Sequence, residues 1–203
     1  MHDEDHDDHQ PPAAPGFVNR VEAELLQRRK VLVFGEVNDR LARDVSARLL
    51  VLANQDDKSP IDIYVNSPGG HVESGDTIHD MIRFIRNDVT VNMIGTGWVA
   101  SAGAHIFLAG AKDRRFCLPN TRFLLHQPSG GTRGMAADIE IEAREIIRMR
   151  ERLVKIISDE TGQPVERIEK DINRNHWMFA EEAVTYGMVT RVIRDPRDIP
   201  AVK

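Results

Sequence analysis

A single cysteine in 203 residues, Cys117, leaves no internal disulfide and no cysteine-rich zinc site. Its apolar neighbours make it a small core residue on a strand. Long hydrophobic runs are missing as well. The longest weakly polar stretch, Trp98 to Ala111, contains His105 and falls short of the roughly 20 residues a membrane helix needs. An excess of positive charge is also lacking, with 27 Lys and Arg against 32 Asp and Glu and a net charge of −5. That balance and the lack of basic clusters exclude a nucleic-acid footprint. The acidic N-terminus has no positive n-region of a signal peptide, so a cytoplasmic protein is expected.

The first ten residues carry Asp3, Glu4, Asp5, Asp7 and Asp8 with no Lys or Arg, which leaves the rest of the chain formally neutral. His2, His6 and His9 in this tail are metal-ligand types, but without apolar residues the segment reads as a solvated, disordered tail. Pro11, Pro12, Pro15 and Gly16 then form a linker. Residues 17–203 are expected to make one domain, long enough to bury a sizeable core.

Within that body, strand and helix patterns alternate. Phe17–Gln27 fits a short amphipathic helix and Val31–Phe34 a buried strand ended by Gly35. Asn38 or Asp39 can cap a helix over Arg40–Asn54, with Leu41, Val45, Leu49 and Leu52 on one stripe. Ile61–Asn66 is a strand, Ser67-Pro68-Gly69-Gly70 a turn, and about Ser74–Arg86 a helix. Strands follow at Val89–Ile94, near Arg115–Leu118 and at Phe123–Leu125. This alternation implies parallel pairing and an α/β layered core. The Gly-rich stretch Gln127–Gly134 opens onto a long helix, about Met135–Glu160, in which Ile139, Ile146 and Leu153 recur every seven residues. It exceeds the needs of a small domain, and its two-sided apolar content favours projecting and packing on another subunit over the alternative of lying across its own domain. Short helices are expected from Val165 and from Ala180 to Gly187.

Chemistry concentrates where the third strand meets a small-residue helix, at Gly95-Thr96-Gly97-Trp98-Val99-Ala100-Ser101-Ala102-Gly103-Ala104. A serine at a helix start has an accessible hydroxyl beside amides that lack helical partners. Those are the two requirements of a nucleophile that must also stabilise an oxyanion. His126 closes a later apolar strand. Each residue alone would be an ordinary packing or strand-end residue; their joint setting makes a catalytic reading worth testing along the chain.

The chain resembles the proteolytic subunit of the Clp protease, ClpP. The resemblance rests on Tyr64-Val65-Asn66-Ser67-Pro68-Gly69-Gly70, Ala100-Ser101-Ala102-Gly103-Ala104 and Leu118-Pro119-Asn120 with His126-Gln127-Pro128. Asp138-Ile139-Glu140-Ile141, Ala143-Arg144-Glu145-Ile146 and Ala180-Glu181-Glu182-Ala183-Val184-Thr185-Tyr186-Gly187 add to it. It implies the crotonase-like α/β spiral, with a handle at about 127–161 made of a long helix and a Gly-rich strand, between two stacked heptameric rings. It also implies a self-compartmentalising serine endopeptidase for peptides and unfolded proteins. Ser101 would be the nucleophile, His126 the base, and the Gly70 and Ala102 amides the oxyanion donors. No cofactor is implied in the chain itself; ATP is used by the family's partner, a hexameric AAA+ unfoldase.

Several positions depart from the family pattern. The triad aspartate falls on Asn175, and Asp171 one turn earlier matches a position outside the triad. Asn173 replaces an acidic residue that with Arg174 forms a ring-to-ring pair. His71 stands at an apolar position, and the axial-pore loop motif is replaced by the acidic tail. Val99 two residues before Ser101 excludes the glycine-bearing elbow of α/β hydrolases. Two readings follow: a peptidase weak or conditional alone, or a silent structural subunit in a mixed ring with an active paralogue. An acyl-CoA enzyme of the crotonase fold leaves Ser101 and His126 unexplained.

Overall fold

Alternating burial along Ile61–Ser67 puts Ile61, Ile63 and Val65 on one face and leaves Asp62, Tyr64 and Asn66 partly exposed on the other. This period of two marks a strand in the middle of a layered fold. The computed structural model describes residues 17–55, 58–131 and 133–201; the acidic tail and linker expected over 1–16 lie outside them. In chain order the helices are α1 (Phe17–Gln27), α2 (Asp39–Gln55), α3 (Val72–Ile85), α4 (Ala102–Leu108), α5 (Ala136–Thr161), α6 (Val165–Asp171) and α7 (Ala180–Tyr186). The strands are β1 (Lys30–Phe34), β2 (Ile61–Ser67), β3 (Val91–Ala100), β4 (Arg115–Cys117), β5 (Arg122–Leu125), β6 (His176–Phe179) and β7 (Arg191–Val192).

The strands join in one seven-stranded sheet, ordered β1-β2-β3-β4-β7, with β5 on β3 and β6 on β5. All pairings are parallel except β5 with β6. β3 is the branch point. Its Met93–Gly95 half pairs with β4, and its Trp98–Ala100 half pairs with β5. The strand therefore runs on through Gly95–Ala100, past the expected end at Ile94, because β5 supplies a second hydrogen-bonding partner there. β6 and β7 are additions that no sequence period announced.

Helices cover the sheet with the stripes their spacing predicts: Val45, Leu49 and Leu52 from α2, and Ile78, Ile82 and Ile85 from α3, all buried. Asn38 is the cap of α2, its Oδ1 accepting from the Leu41 amide at 3.0 Å. Every residue of α4 is buried, and Phe107 meets Phe123 of β5 edge-on at 5.3 Å. Of the long α5, only Val154, Ile157 and Glu160 near its C-terminus are buried, while Ile139, Ile141 and Ile147 are exposed. Its first half thus stands free of this subunit. Gln127–Gly131 before it forms no strand within the chain, since a strand needs a neighbouring backbone to pair with.

One buried charge ties the far end of α5 to the sheet. Arg115 on β4 is 1% exposed, and burial pushes its guanidinium down to about 10. Its Nη2 donates to the Glu160 carbonyl at 2.8 Å, and the Glu160 carboxylate lies 3.6 Å away while also binding Arg83 at 2.6 Å. Removing the acid leaves a buried cation unpaired. Glu160→Ala is therefore expected to cost about 3 kcal/mol in urea denaturation at fixed protein concentration. An unchanged midpoint would show that Arg115 needs no counter-charge.

Candidate active site

β3 delivers Ser101 to the N-cap of α4 in a strained conformation, φ 54° and ψ −121°. Non-glycine residues hold such angles only where their surroundings fix them, at a cost of about 1–3 kcal/mol. Two backbone bonds do so here. The Ser101 amide donates to Leu124 O at 3.0 Å, and the His105 amide donates to Ser101 O at 3.1 Å. The first continues the β3–β5 pairing, in which Ala100 faces Leu124. The nucleophile candidate is thereby locked to the strand that ends at His126.

β5 carries His126 just past its last residue, partly buried. The segment is held by the Gln127 amide, which donates to Ile172 O at 2.8 Å, and by Gln127 Nε2, which donates to Asn173 O at 3.1 Å. β6 runs antiparallel to β5 with Leu125 opposite His176; the paired register ends there, His126 and Asn175 are the next residues on each side, and the Gln127 bond to Ile172 departs from it. Burial pushes the His126 imidazole below its usual value, and no neighbouring carboxylate pulls it back. Asp171 is engaged elsewhere, accepting from the Tyr186 hydroxyl at 2.9 Å and lying 3.5 Å from Arg167. Asn175, Asn173 and Arg174 are all exposed.

The oxyanion candidates differ in their support. Ala102 N–H is the first amide of α4 and has no helical acceptor. Gly70 has φ 147° and forms a parallel bridge with Val37, whose carbonyl a β-carbon at position 70 would overlap. Its lack of a side chain thus answers to Val37. The glycine that touches the nucleophile is Gly69. A β-carbon there would lie 2.5 Å from Ser101 Cβ and 3.0 Å from Oγ. The Pro-Gly-Gly turn, pinned by Val37 N–H to Gly69 O at 2.8 Å and by Gly69 N–H to Ser67 Oγ at 3.1 Å, packs directly on the serine.

Ser101, Ala102 and His126 line one cavity of about 50 Å³, together with residues of α3, α4 and α5. No hydrogen bond joins Ser101 Oγ to His126 among the described residues, and such bonds are often long until substrate arrives. A hydroxyl, an imidazole and a free helical amide on one cavity are the parts acyl transfer requires. The sequence reading missed Gly69 and the polar cavity residues Asp76, His105 and Arg152. The adjacent glycines were a signal for the first; His105 sits in an apolar run that gave none. Cys117 is buried and its thiol is pushed up to about 12, so it stays unreactive. No group of three or more His, Cys, Asp or Glu among the described residues is placed to hold a metal ion. No helix among them is long and apolar enough to cross a membrane.

A family model described as Clp protease matches residues 16–196. The ATP-dependent Clp protease proteolytic subunit 2 of Gluconobacter oxydans is 63% identical over 182 residues, covering 90% of this chain and 81% of that protein. Subunit 3 from Rhizobium etli is 56% identical over 199 residues, covering 98% and 100%. Among solved structures, an Asn-to-Asp mutant of ClpP1 from Listeria monocytogenes superposes with a TM-score of 0.82 at 50% identity, over 89% of this chain and 99% of that one. Sequence and fold agree along nearly the whole body, and the chain accordingly belongs to the Clp protease family, as a serine-type proteolytic subunit.

Proposed function

We propose that this subunit cleaves peptides and unfolded proteins by acyl transfer at Ser101 and His126, and that it is weak or conditional by itself. The observation that carries the reading is the environment of His126: burial lowers its imidazole and no carboxylate acts on it, which fits an amide, Asn175, in the role of the supporting acid. His126 takes the Ser101 proton as Oγ attacks a peptide carbonyl. The oxyanion forms against the amides of Gly70 and Ala102. Collapse of the tetrahedral adduct breaks the C–N bond, His126 protonates the departing amine, and water hydrolyses the acyl-enzyme by the reverse proton path. Asn175 Oδ1 can accept from His126 Nδ1–H and hold the ring, but it lends the imidazolium no charge.

Assembly fits the same reading. The free, apolar first half of α5 supports packing against a second subunit, in stacked heptameric rings that are homomeric or mixed with a fully charged paralogue. Asn173 and Arg174 are candidate contacts between rings. An AAA+ unfoldase is the family's partner class, and the missing axial-pore loop motif argues against its docking on this chain; a cytoplasmic location fits the reading. A silent structural subunit is the second reading, favoured by the unjoined Ser101 and His126.

Labelling separates the two. A serine-reactive phosphonate is expected to modify the native assembly once per reactive subunit, and Ser101→Ala is expected to abolish the mass shift. If no Ser101-dependent adduct forms in any assembly, alone or with a paralogue, the peptidase reading fails.

A further inference from the structure

The turn that carries Gly70 has no side chain of its own to hold it, because two glycines stand in a row with φ 101° and 147°. Glycine loses the most conformational freedom on ordering, so such a turn needs anchors. Backbone bonds supply part of the hold: Val37 N–H donates to Gly69 O, and His71 N–H donates to Val37 O at 2.9 Å. The first side chain after the glycines is His71, half exposed at the N-cap of α3. Its ring sits between the starts of two helices. Nδ1 lies 2.8 Å from Ser74 Oγ on α3 and 3.4 Å from Asp39 Oδ1 at the start of α2, and Nε2 lies 3.1 Å from Glu73 Oε2. Ser74 is buried and donates its one proton to Asp39 Oδ1 at 2.5 Å. The charged groups facing the ring are thus Asp39 from α2 and Glu73 from α3. Arg40 and Arg43, the next cations along α2, are drawn to Asp44.

Because Ser74 gives its hydrogen to Asp39, Nδ1 faces only acceptors, while Nε2 faces a carboxylate. A neutral imidazole carries one N–H and can satisfy one side; the imidazolium carries two and satisfies both. The helix N-terminus opposes a positive ring, and the two carboxylates offset it. We infer that His71 is a positioning residue for acyl transfer: its protonated ring ties the Gly69–Gly70 turn to α2 and α3, and loss of that proton slackens the turn and its oxyanion amide. The inference rests on the peptidase reading above and names a condition on that activity. An apolar residue at position 71 would hold the turn alike at every pH. His126 and His71 act with opposite signs. His126 must be neutral to take the Ser101 proton, so its limb of the rate profile rises with pH; His71 must be charged to hold the turn, so its limb falls.

The rate of Ser101 labelling by the phosphonate reads both limbs, because the phosphoryl oxygen takes the oxyanion's place. On the native assembly, the natural chain is expected to label fastest at an intermediate pH. It should lose about tenfold on the alkaline side, a part of the roughly 10²–10³ that a whole oxyanion donor is worth. His71→Gln and His71→Val both remove the titrating group, one keeping a polar side chain and the other an apolar one. The ratio of natural to variant rate cancels the His126 limb, which the chains share. It is expected to fall about tenfold from about pH 5 to about pH 8, whatever its starting value. Native mass measurement selects the variants that assemble. A ratio that stays level across that range in an assembled variant overturns the inference. So does a natural chain whose labelling rate only rises with pH, whether or not either variant assembles. In both of those outcomes Ser101 still labels and the peptidase reading stands, whereas absent labelling removes both.

Discussion

Asn175→Asp is expected to raise peptide hydrolysis by about 10³- to 10⁴-fold, the reverse of the loss when a trypsin-type triad exchanges its aspartate for asparagine. Position 175 is exposed and follows directly on the β5–β6 pairs, and the exchange replaces an amide by an isosteric carboxylate. The pH profile gives a second readout with a definite sign. His126 acts as a base when neutral, so rates rise with pH through its pKa. Burial alone acts on that pKa now, and it lies below the usual 6.5. A carboxylate beside the ring favours the imidazolium and raises the pKa. The acid limb of the rate profile therefore moves to higher pH in Asn175→Asp while the plateau climbs. A gain below about tenfold with an unmoved acid limb would show that position 175 does not reach the imidazole, and would favour the silent subunit.

Gly69→Ala is expected to cut phosphonate labelling of Ser101 by about 100-fold or more, the scale of loss when a reacting group is displaced by about 1 Å. The added methyl would sit 2.5 Å from Ser101 Cβ and 3.0 Å from the Ala100 carbonyl, both parts of the nucleophile's own backbone run. Position 69 also has φ 101°, which side-chain-bearing residues rarely adopt. Either the turn moves, taking Gly70 with it, or Ser101 leaves its strained rotation. Gly131→Ala, where an added methyl meets nothing within 4 Å, is the control and should label normally. Native mass measurement confirms that both variants assemble. Full labelling of an assembled Gly69→Ala subunit would mean that the turn does not set the serine.

The sequence made much of this site readable because its parts lie at element ends, where composition changes abruptly. Ser101 after an apolar run and His126 closing another could be found from pattern alone, and the family resemblance supplied Asn175. What stayed hidden is what depends on a partner strand. β6 is a four-residue strand behind Asn173-Arg174-Asn175 and has no period of its own. β3 extends through Gly95-Thr96-Gly97, which reads as a chain break, because two neighbours share its length. The strained Ser101 turn forms without the glycine two residues earlier that usually signals it, since Val99 occupies that place and the bond to Leu124 O does the holding. His105, inside a wholly buried helix, sits in a run with the pattern of a core, and only the fold brings Asp76 to 2.9 Å from its Nε2.

β5 fastens Ser101 through Leu124 and ends just before His126. Backbone pairing, rather than any side chain, thus holds the run that carries both, and residue 175, exposed beyond the paired strands, is free to vary without disturbing the scaffold. Asparagine and aspartate codons differ by one base. On the proposed reading, a gene encoding this architecture passes between a strong and a faint protease by a single point mutation, with no intermediate that fails to fold. Graded sets of such subunits are an evolutionary product that this arrangement makes readily accessible.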